Sequence, residues 1–132
     1  MSSLRNVVMP LLVILFITTS VDGALLDAPK DVVVRITNAL QNNVNLTVHC
    51  KSGDDDLGMQ TLRINENFEF NFQTSIFGTT LFFCGFKWSN EFRWFDIFTD
   101  KRDDCSSCYW TIIELGPCLY GIDGLCYQWN KH

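Results

Sequence analysis

Histidine is scarce in this 132-residue chain: His49 stands beside a cysteine and His132 is the C-terminal residue. A histidine-dependent nucleophilic triad therefore has little to draw on, and neither a nucleophile-elbow nor a metalloprotease motif occurs. Positive charge is also in short supply, with 10 Lys and Arg against 15 Asp and Glu and a formal net charge of −5. The basic residues are scattered, only Lys101 and Arg102 being adjacent, which argues against binding to nucleic acid through its phosphates. A polybasic or amphipathic helical segment suited to acidic lipid is lacking, and the same charge balance disfavours a membrane-lytic peptide. Internal repeats, linkers and low-complexity tracts are absent from the sequence.

Long apolar runs are limited to one. Val7 to Thr18 follows the positive charge of Arg5, and Val21 and Gly23 place small residues where a signal peptidase reads them. The run is too short for an ordinary transmembrane helix, which needs roughly 20 apolar residues. Residues 1–23 are therefore expected to be a signal peptide cleaved after Gly23. Ala24 to His132 is then about the size of one domain, expected to be soluble, extracellular and without membrane insertion.

Six cysteines lie in that expected mature part: Cys50, Cys84, Cys105, Cys108, Cys118 and Cys126. An exported chain favours disulfides, and no free thiol is expected. Six cysteines allow 15 complete pairings, among which sequence alone does not choose. The two-residue gap between Cys105 and Cys108 also occurs in zinc and thioredoxin motifs. Zinc, however, would need a second ligand pair, and a thioredoxin site would need a helix after the first cysteine. Structural disulfides are the preferred reading.

The hydrophobic pattern has a period of two. Val32, Val34 and Ile36 alternate with Val33, Arg35 and Thr37, and Val44, Leu46 and Val48 alternate with Asn45, Thr47 and His49. Phe68, Phe70 and Phe72 alternate with Glu69, Asn71 and Gln73, one side aromatic and the other polar; a helix would scatter those rings around its surface. Thr80–Trp88 and Phe92–Thr99 are apolar and aromatic, with Ser89, Asn90 and Glu91 as a turn between them. Tyr109–Glu114 reads as a strand stopped by Gly116 and Pro117. Asp123–Gly124, between Cys118–Ile122 and Leu125–Trp129, reads as a two-residue hairpin turn. About seven to nine short strands without a convincing amphipathic helix predict an all-β, single-domain, disulfide-stabilised antiparallel β-sandwich. A small closed barrel is the alternative. Eleven Phe, four Trp and three Tyr supply bulky apolar surface for one core.

These residues, taken in order, resemble the plant self-incompatibility S1 family, or S-protein homologues. The likeness runs from the Val-rich first strand with Asn38 and Leu40, through His49-Cys50-Lys51-Ser52-Gly53 and Asp54-Asp55-Asp56-Leu57-Gly58, to Phe68, Phe70 and Phe72. It continues through Gly78 to Cys84, Trp88, Phe95-Asp96, Cys105, Cys108, Trp110, Gly116-Pro117-Cys118 and Cys126-Tyr127 with Trp129. The resemblance implies a small secreted plant β-sandwich and a signalling ligand that a cell-surface receptor recognises. The family's founding role is a stigma-side ligand in the rejection of self pollen. The implied product acts as a monomer in the apoplast, without catalytic activity or cofactor.

Several motifs need weighing against simpler readings. Asn45-Leu46-Thr47 is the one N-glycosylation sequon, and the strand alternation turns Asn45 towards solvent. Asp54, Asp55 and Asp56 offer carboxylates suited to Ca²⁺, yet they lack the spacing of an EF-hand loop. A turn whose Asp side chains accept backbone N–H groups needs no metal. Glu69 and Asp96 could be imagined as paired glycosidase acids, a coincidence that so many carboxylates make cheap. Loops carry recognition on sandwich scaffolds, so the expected partner contacts are three segments. They are Lys51–Met59 with Asp54, Asp55 and Asp56; Ser89–Arg93 with Asn90 and Glu91; and Asp100–Asp104 with Lys101 and Arg102. An antimicrobial or defence protein, or a wall-carbohydrate binder using exposed Trp94, is the alternative.

Overall fold

Alternating β-branched and aromatic residues cannot bury one face without a second sheet, and the chain supplies two. The computed structural model describes residues 28–131, so the expected leader over 1–23 and His132 lie outside the described residues. Nine strands follow: β1 (Asp31–Asn38), β2 (Leu46–Lys51), β3 (Asp56–Leu62), β4 (Asn67–Gln73), β5 (Leu81–Trp88), β6 (Glu91–Thr99), β7 (Ser107–Ile113), β8 (Gly116–Leu119) and β9 (Leu125–Cys126). They form a five-stranded sheet, β4-β1-β7-β8-β9, and a four-stranded sheet, β3-β2-β5-β6. The all-β sandwich read from the alternation is the architecture found.

The core lies between the sheets. Val32, Val34 and Ile36 of β1 and Trp110 and Ile112 of β7 face Leu46, Val48, Phe82, Phe86 and Phe98. Phe68, Phe70 and Phe72 close one side, with the Phe72 ring 4.4 Å from Phe82 and 5.0 Å from Phe98 between centroids. Inside that core, Asn38 donates from Nδ2 to the carbonyls of Val44 at 2.8 Å and Leu62 at 3.0 Å, and its Oδ1 accepts the Leu40 N–H at 2.9 Å. A fully buried amide thus ties the β1–β2 connection to the end of β3.

All six cysteines pair: Cys50–Cys84 joins β2 to β5, Cys105–Cys108 closes the turn into β7, and Cys118–Cys126 joins β8 to β9. The residues after Cys108 form a strand, as expected for a structural bridge.

Four details depart from the alternation. First, β1 and β7 run parallel, from Val33 opposite Ser107 to Asn38 opposite Ile112, whereas every other pair is antiparallel. Parallel neighbours need a long crossover, and here β2 to β6 provide it. Second, Lys51–Met59 is not all loop. Asp56 pairs with Lys51 and Met59 with His49, which leaves only Ser52–Asp55 as a turn. The edge strand β3 buries only Leu62, so it carries little apolar signal.

Third, Gly116 and Pro117 start β8 rather than stopping β7, and Glu114–Leu115 makes the turn. The tail crosses directly over Gly116: a Cβ there would come within 1.9 Å of the Tyr127 carbonyl oxygen, and its φ is +153°. Fourth, the last hairpin pairs Leu119 with Leu125 and Cys118 with Cys126, so five residues connect the strands rather than Asp123–Gly124 alone. Positive φ falls at Tyr120 (62°) and Gly121 (94°), not at Asp123 or Gly124. The pairing of the two cysteines across β8 and β9 sets this register, which a tight Asp-Gly turn would shift.

Past β9 the tail leaves one sheet for the other. Tyr127 N–H bonds the Pro117 carbonyl at 2.9 Å and Asn130 N–H bonds the Trp94 carbonyl at 2.8 Å, so the tail covers part of the β6 edge. Trp129 packs on Phe86 and Trp88 and donates its indole N–H to the Glu114 carbonyl at 2.9 Å.

Candidate functional site

Strand direction sorts the candidate segments onto two ends of the sandwich. Lys51 lies opposite Phe83 and Thr99 opposite Leu81, which gathers the turn Ser52–Asp55, the β4–β5 connection and the β6–β7 connection at one end. Thr47 lies opposite Lys87 and Glu91 opposite Trp88, so Asn90, Glu91 and the sequon Asn45 belong to the other. The structure therefore separates Asn90 and Glu91 from Asp54, Asp55 and Lys101 instead of bringing all three segments together.

The first end is built from short polar side chains that satisfy backbone groups. Ser52 Oγ accepts Asp55 N–H at 3.1 Å, and Ser52 N–H bonds the Asp55 carbonyl at 2.8 Å. Thr80 Oγ1 accepts Ser75 N–H at 2.7 Å, Ser75 Oγ accepts Phe77 N–H at 3.1 Å, and Asp100 Oδ2 accepts Thr80 N–H at 2.6 Å. Such local bonds hold a loop in one shape and lower the entropy cost of docking it.

Upon that frame sit the exposed groups. Phe77 is 68% exposed, Leu81 42% and Ile76 40%. An open groove of about 680 Å³ runs between the acidic turn Gly53-Asp54-Asp55 and the strand ends Gln73 and Thr79–Phe83. Leu81 thus stands with Asp54 and Asp55 along this groove, and Phe77 and Ile76 are exposed at the same end. Phe77 and Ile76 were missed in the strand reading; their signal is an apolar pair enclosed by Thr74, Ser75, Gly78 and Thr79, a composition typical of an exposed turn.

The three aspartates divide into two roles. All three are exposed, but Asp56 is also engaged: its Oδ1 accepts Gly58 N–H at 2.9 Å and lies 2.6 Å from His49 Nε2. The Gly58 amide first, then the His49 ring, hold the Asp56 carboxyl below the usual carboxylate range. Among the described residues no group of three or more His, Cys, Asp or Glu is arranged to hold a metal ion.

Arg102 and Lys101 also part company. Lys101 is exposed, but Arg102 turns inward, its guanidinium 4.8 Å from the Phe95 ring centroid, 5.1 Å from Tyr127 and 5.3 Å from Trp110. Its Nε and Nη2 donate to Asp103 at 2.8 and 2.6 Å, and the Asp103 side chain is 1% exposed. A planar cation stacked on rings and forked onto a buried carboxylate is a structural anchor. Expecting Arg102 to contact a partner overlooked those three rings, which come from β6, β7 and the tail.

At the other end Glu91 pairs with Arg93 at 2.7 Å, while Asn90 and Asn45 are exposed. Asn45 sits just before β2 and is open to modification. Trp88 is buried in the core, and Trp94 is half-buried on the outer face of the four-stranded sheet.

Comparison with known proteins agrees with this architecture. The family described as "Plant self-incompatibility protein S1" matches residues 33–129. S-protein homolog 3 of Arabidopsis thaliana is 45% identical over 107 residues, covering 74% of this chain and 71% of that protein. S-protein homolog 2 of the same plant is 46% identical over 109 residues, covering 74% and 68%. A solved structure is similar at a TM-score of 0.54 and 18% identity, over 77% of this chain and 96% of that one. It represents SPH (Self-Incompatibility Protein Homologue) proteins, described as a widespread family of small, highly stable, secreted proteins from plants.

Proposed function

Because the chain belongs to the plant self-incompatibility protein S1 family, we propose that it is a secreted ligand, recognised by a cell-surface protein through the loop-bearing end of the sandwich. The observation that carries this reading is the exposed Leu81 lining one groove with Asp54 and Asp55, with Phe77 and Ile76 exposed on the β4–β5 connection at the same end, on loops held by their own hydrogen bonds. Large exposed apolar side chains next to charge mark interaction surfaces, and aromatic anchors supply most of the affinity at such contacts. The complementary partner presents an apolar pocket rimmed by Lys or Arg. The chain acts as a monomer and by binding rather than catalysis. A glycan on Asn45 would project from the opposite end and leave this tip free; endoglycosidase treatment of the secreted product should lower its mass.

The test is binding of labelled, oxidised protein to intact plant cells over a range of concentrations. Saturable binding, competed by unlabelled protein and weakened roughly tenfold by Phe77→Ala, is the expected result. Asp54→Asn with Asp55→Asn should slow association and reduce its salt dependence, while Asn90→Ala changes neither. Absence of saturable binding on pollen, root and leaf cells alike would overturn the reading.

A further inference from the structure

A second surface, which meets the loop end at Lys51 and Phe83, lies on the outer face of the four-stranded sheet. The outer face of an antiparallel sheet is ordinarily polar, yet here Met59 is 71% exposed and Phe92 44%. Trp94 and Phe83 are half-buried beside them. At the centre is Gly85, paired with His49 on one side and Trp94 on the other. A Cβ at Gly85 would lie 3.2 Å from the Phe92 ring and 3.6 Å from Trp94, so the missing side chain lets both rings lean over the strand. Phe92 and Trp94 meet edge to face, 5.1 Å between centroids and 78° between planes. They wall a groove of about 120 Å³ that Thr47, His49, Met59 and two lysines complete.

Those lysines decide the chemistry. Lys87 and Lys51 are neighbours of the groove at its two ends, and neither forms an ion pair among the described residues. The carboxylate opposite Lys51, Asp56, is held by the Gly58 amide and His49, with Lys51 adding only a weaker attraction. In a chain of net charge −5, two ammonium groups beside exposed rings, neither in a close ion pair among the described residues, make a local exception. The groove lies over β2 and β5, both interior strands whose backbone groups are used within the sheet, so a peptide cannot add there as a strand. A ligand must be recognised through ring faces and side-chain charge alone. Thr47 pairs with Lys87 and lies four residues from Lys51, which sets the two lysines about 14 Å apart along the strands. One small anion cannot bridge that distance.

We propose that this face binds an acidic oligosaccharide, a chain of uronate sugars. The apolar face of one sugar ring stacks on Trp94 above Gly85, and carboxylates on neighbouring sugars meet Lys51 and Lys87. This site does not depend on the partner proposed for the loop end.

The experiment titrates the intact secreted protein with a galacturonate oligomer of defined length, following tryptophan fluorescence and heat. A neutral glucose oligomer of equal length and a polyglutamate peptide serve as controls. Saturable binding of the galacturonate oligomer is expected, weakened roughly tenfold by Trp94→Ala and by Lys51→Gln with Lys87→Gln, and weakened by salt. The lysine pair is exposed or half-buried on the surface, so that variant tests the site even if Trp94→Ala unfolds. Failure of the galacturonate oligomer to bind would overturn the proposal. So would equal affinity for polyglutamate, binding indifferent to the lysine pair, or binding that appears only after Asn45→Gln, which would mean that the chain's own glycan occupies the face.

Discussion

Asn38 and Arg102 are two polar side chains whose roles depend on surroundings that sequence alone does not display. The Asn38 amide makes three hydrogen bonds at zero exposure. Asn38→Ala leaves two carbonyls and one N–H without their partner, and the expected loss is about 3 kcal/mol, read as a lower denaturant midpoint at unchanged slope. Arg102→Ala strands the Asp103 carboxylate in the interior, and about 3–5 kcal/mol is expected to go. Arg102→Lys keeps the charge but not the two-pronged donor or the flat stacking surface, so it should fall between wild type and Arg102→Ala. Wild-type stability in Arg102→Ala would mean that the ring cage is idle. Nothing in the sequence marks Asn38 or Arg102 as structural; only the arrival of Leu62 beside one and of Phe95, Trp110 and Tyr127 beside the other makes them so.

At the scale of elements, the β2–β3 hairpin shows how a charge run becomes a turn. Asp56 accepts Gly58 N–H and meets His49, and its carboxyl is held below the usual carboxylate range. Glu66, bonded by the Arg63 side chain and then by its amide, is lowered in the same way. A carboxyl with a depressed folded-state pKa stabilises the fold above its unfolded pKa of about 4 and loses that contribution as pH falls through the folded value. Stability should therefore drop below about pH 4, and Asp56→Asn should flatten part of that drop in acid titrations followed by circular dichroism. An unchanged acid limb in Asp56→Asn would remove Asp56 from the account. The strands themselves were legible where apolar residues alternate without interruption, as in β1, β2 and β4, and β5 was legible as a continuous apolar and aromatic run. Edge strand β3, with one buried residue, left almost no pattern to read, and the Pro117 start of β8 reads as a stop because neighbouring strands are invisible in one dimension.

For the whole molecule, the disulfides close loops of very different length: sequence separations of 34 for Cys50–Cys84, 8 for Cys118–Cys126 and 3 for Cys105–Cys108. If they act by restricting the unfolded chain, replacing Cys50 and Cys84 together by Ala costs the most, about 3–4 kcal/mol, and Cys105 with Cys108 the least. Denaturant midpoints of the three double variants give the order, and a reversed order would assign the stabilisation to native-state contacts. Composition, period-two alternation and six cysteines behind a leader-like segment determined the class of fold, because an aromatic-rich alternating chain has few other ways to bury one face. Which cysteines pair, that β1 and β7 run parallel, that Phe77 joins the acidic turn at one tip while Asn90 goes to the other, and that Trp94 and Lys87 share a face with Gly85 were decided only by tertiary structure. Each depends on how one strand or loop is placed against another, and the local forces that make a strand carry no information about which strand becomes its neighbour.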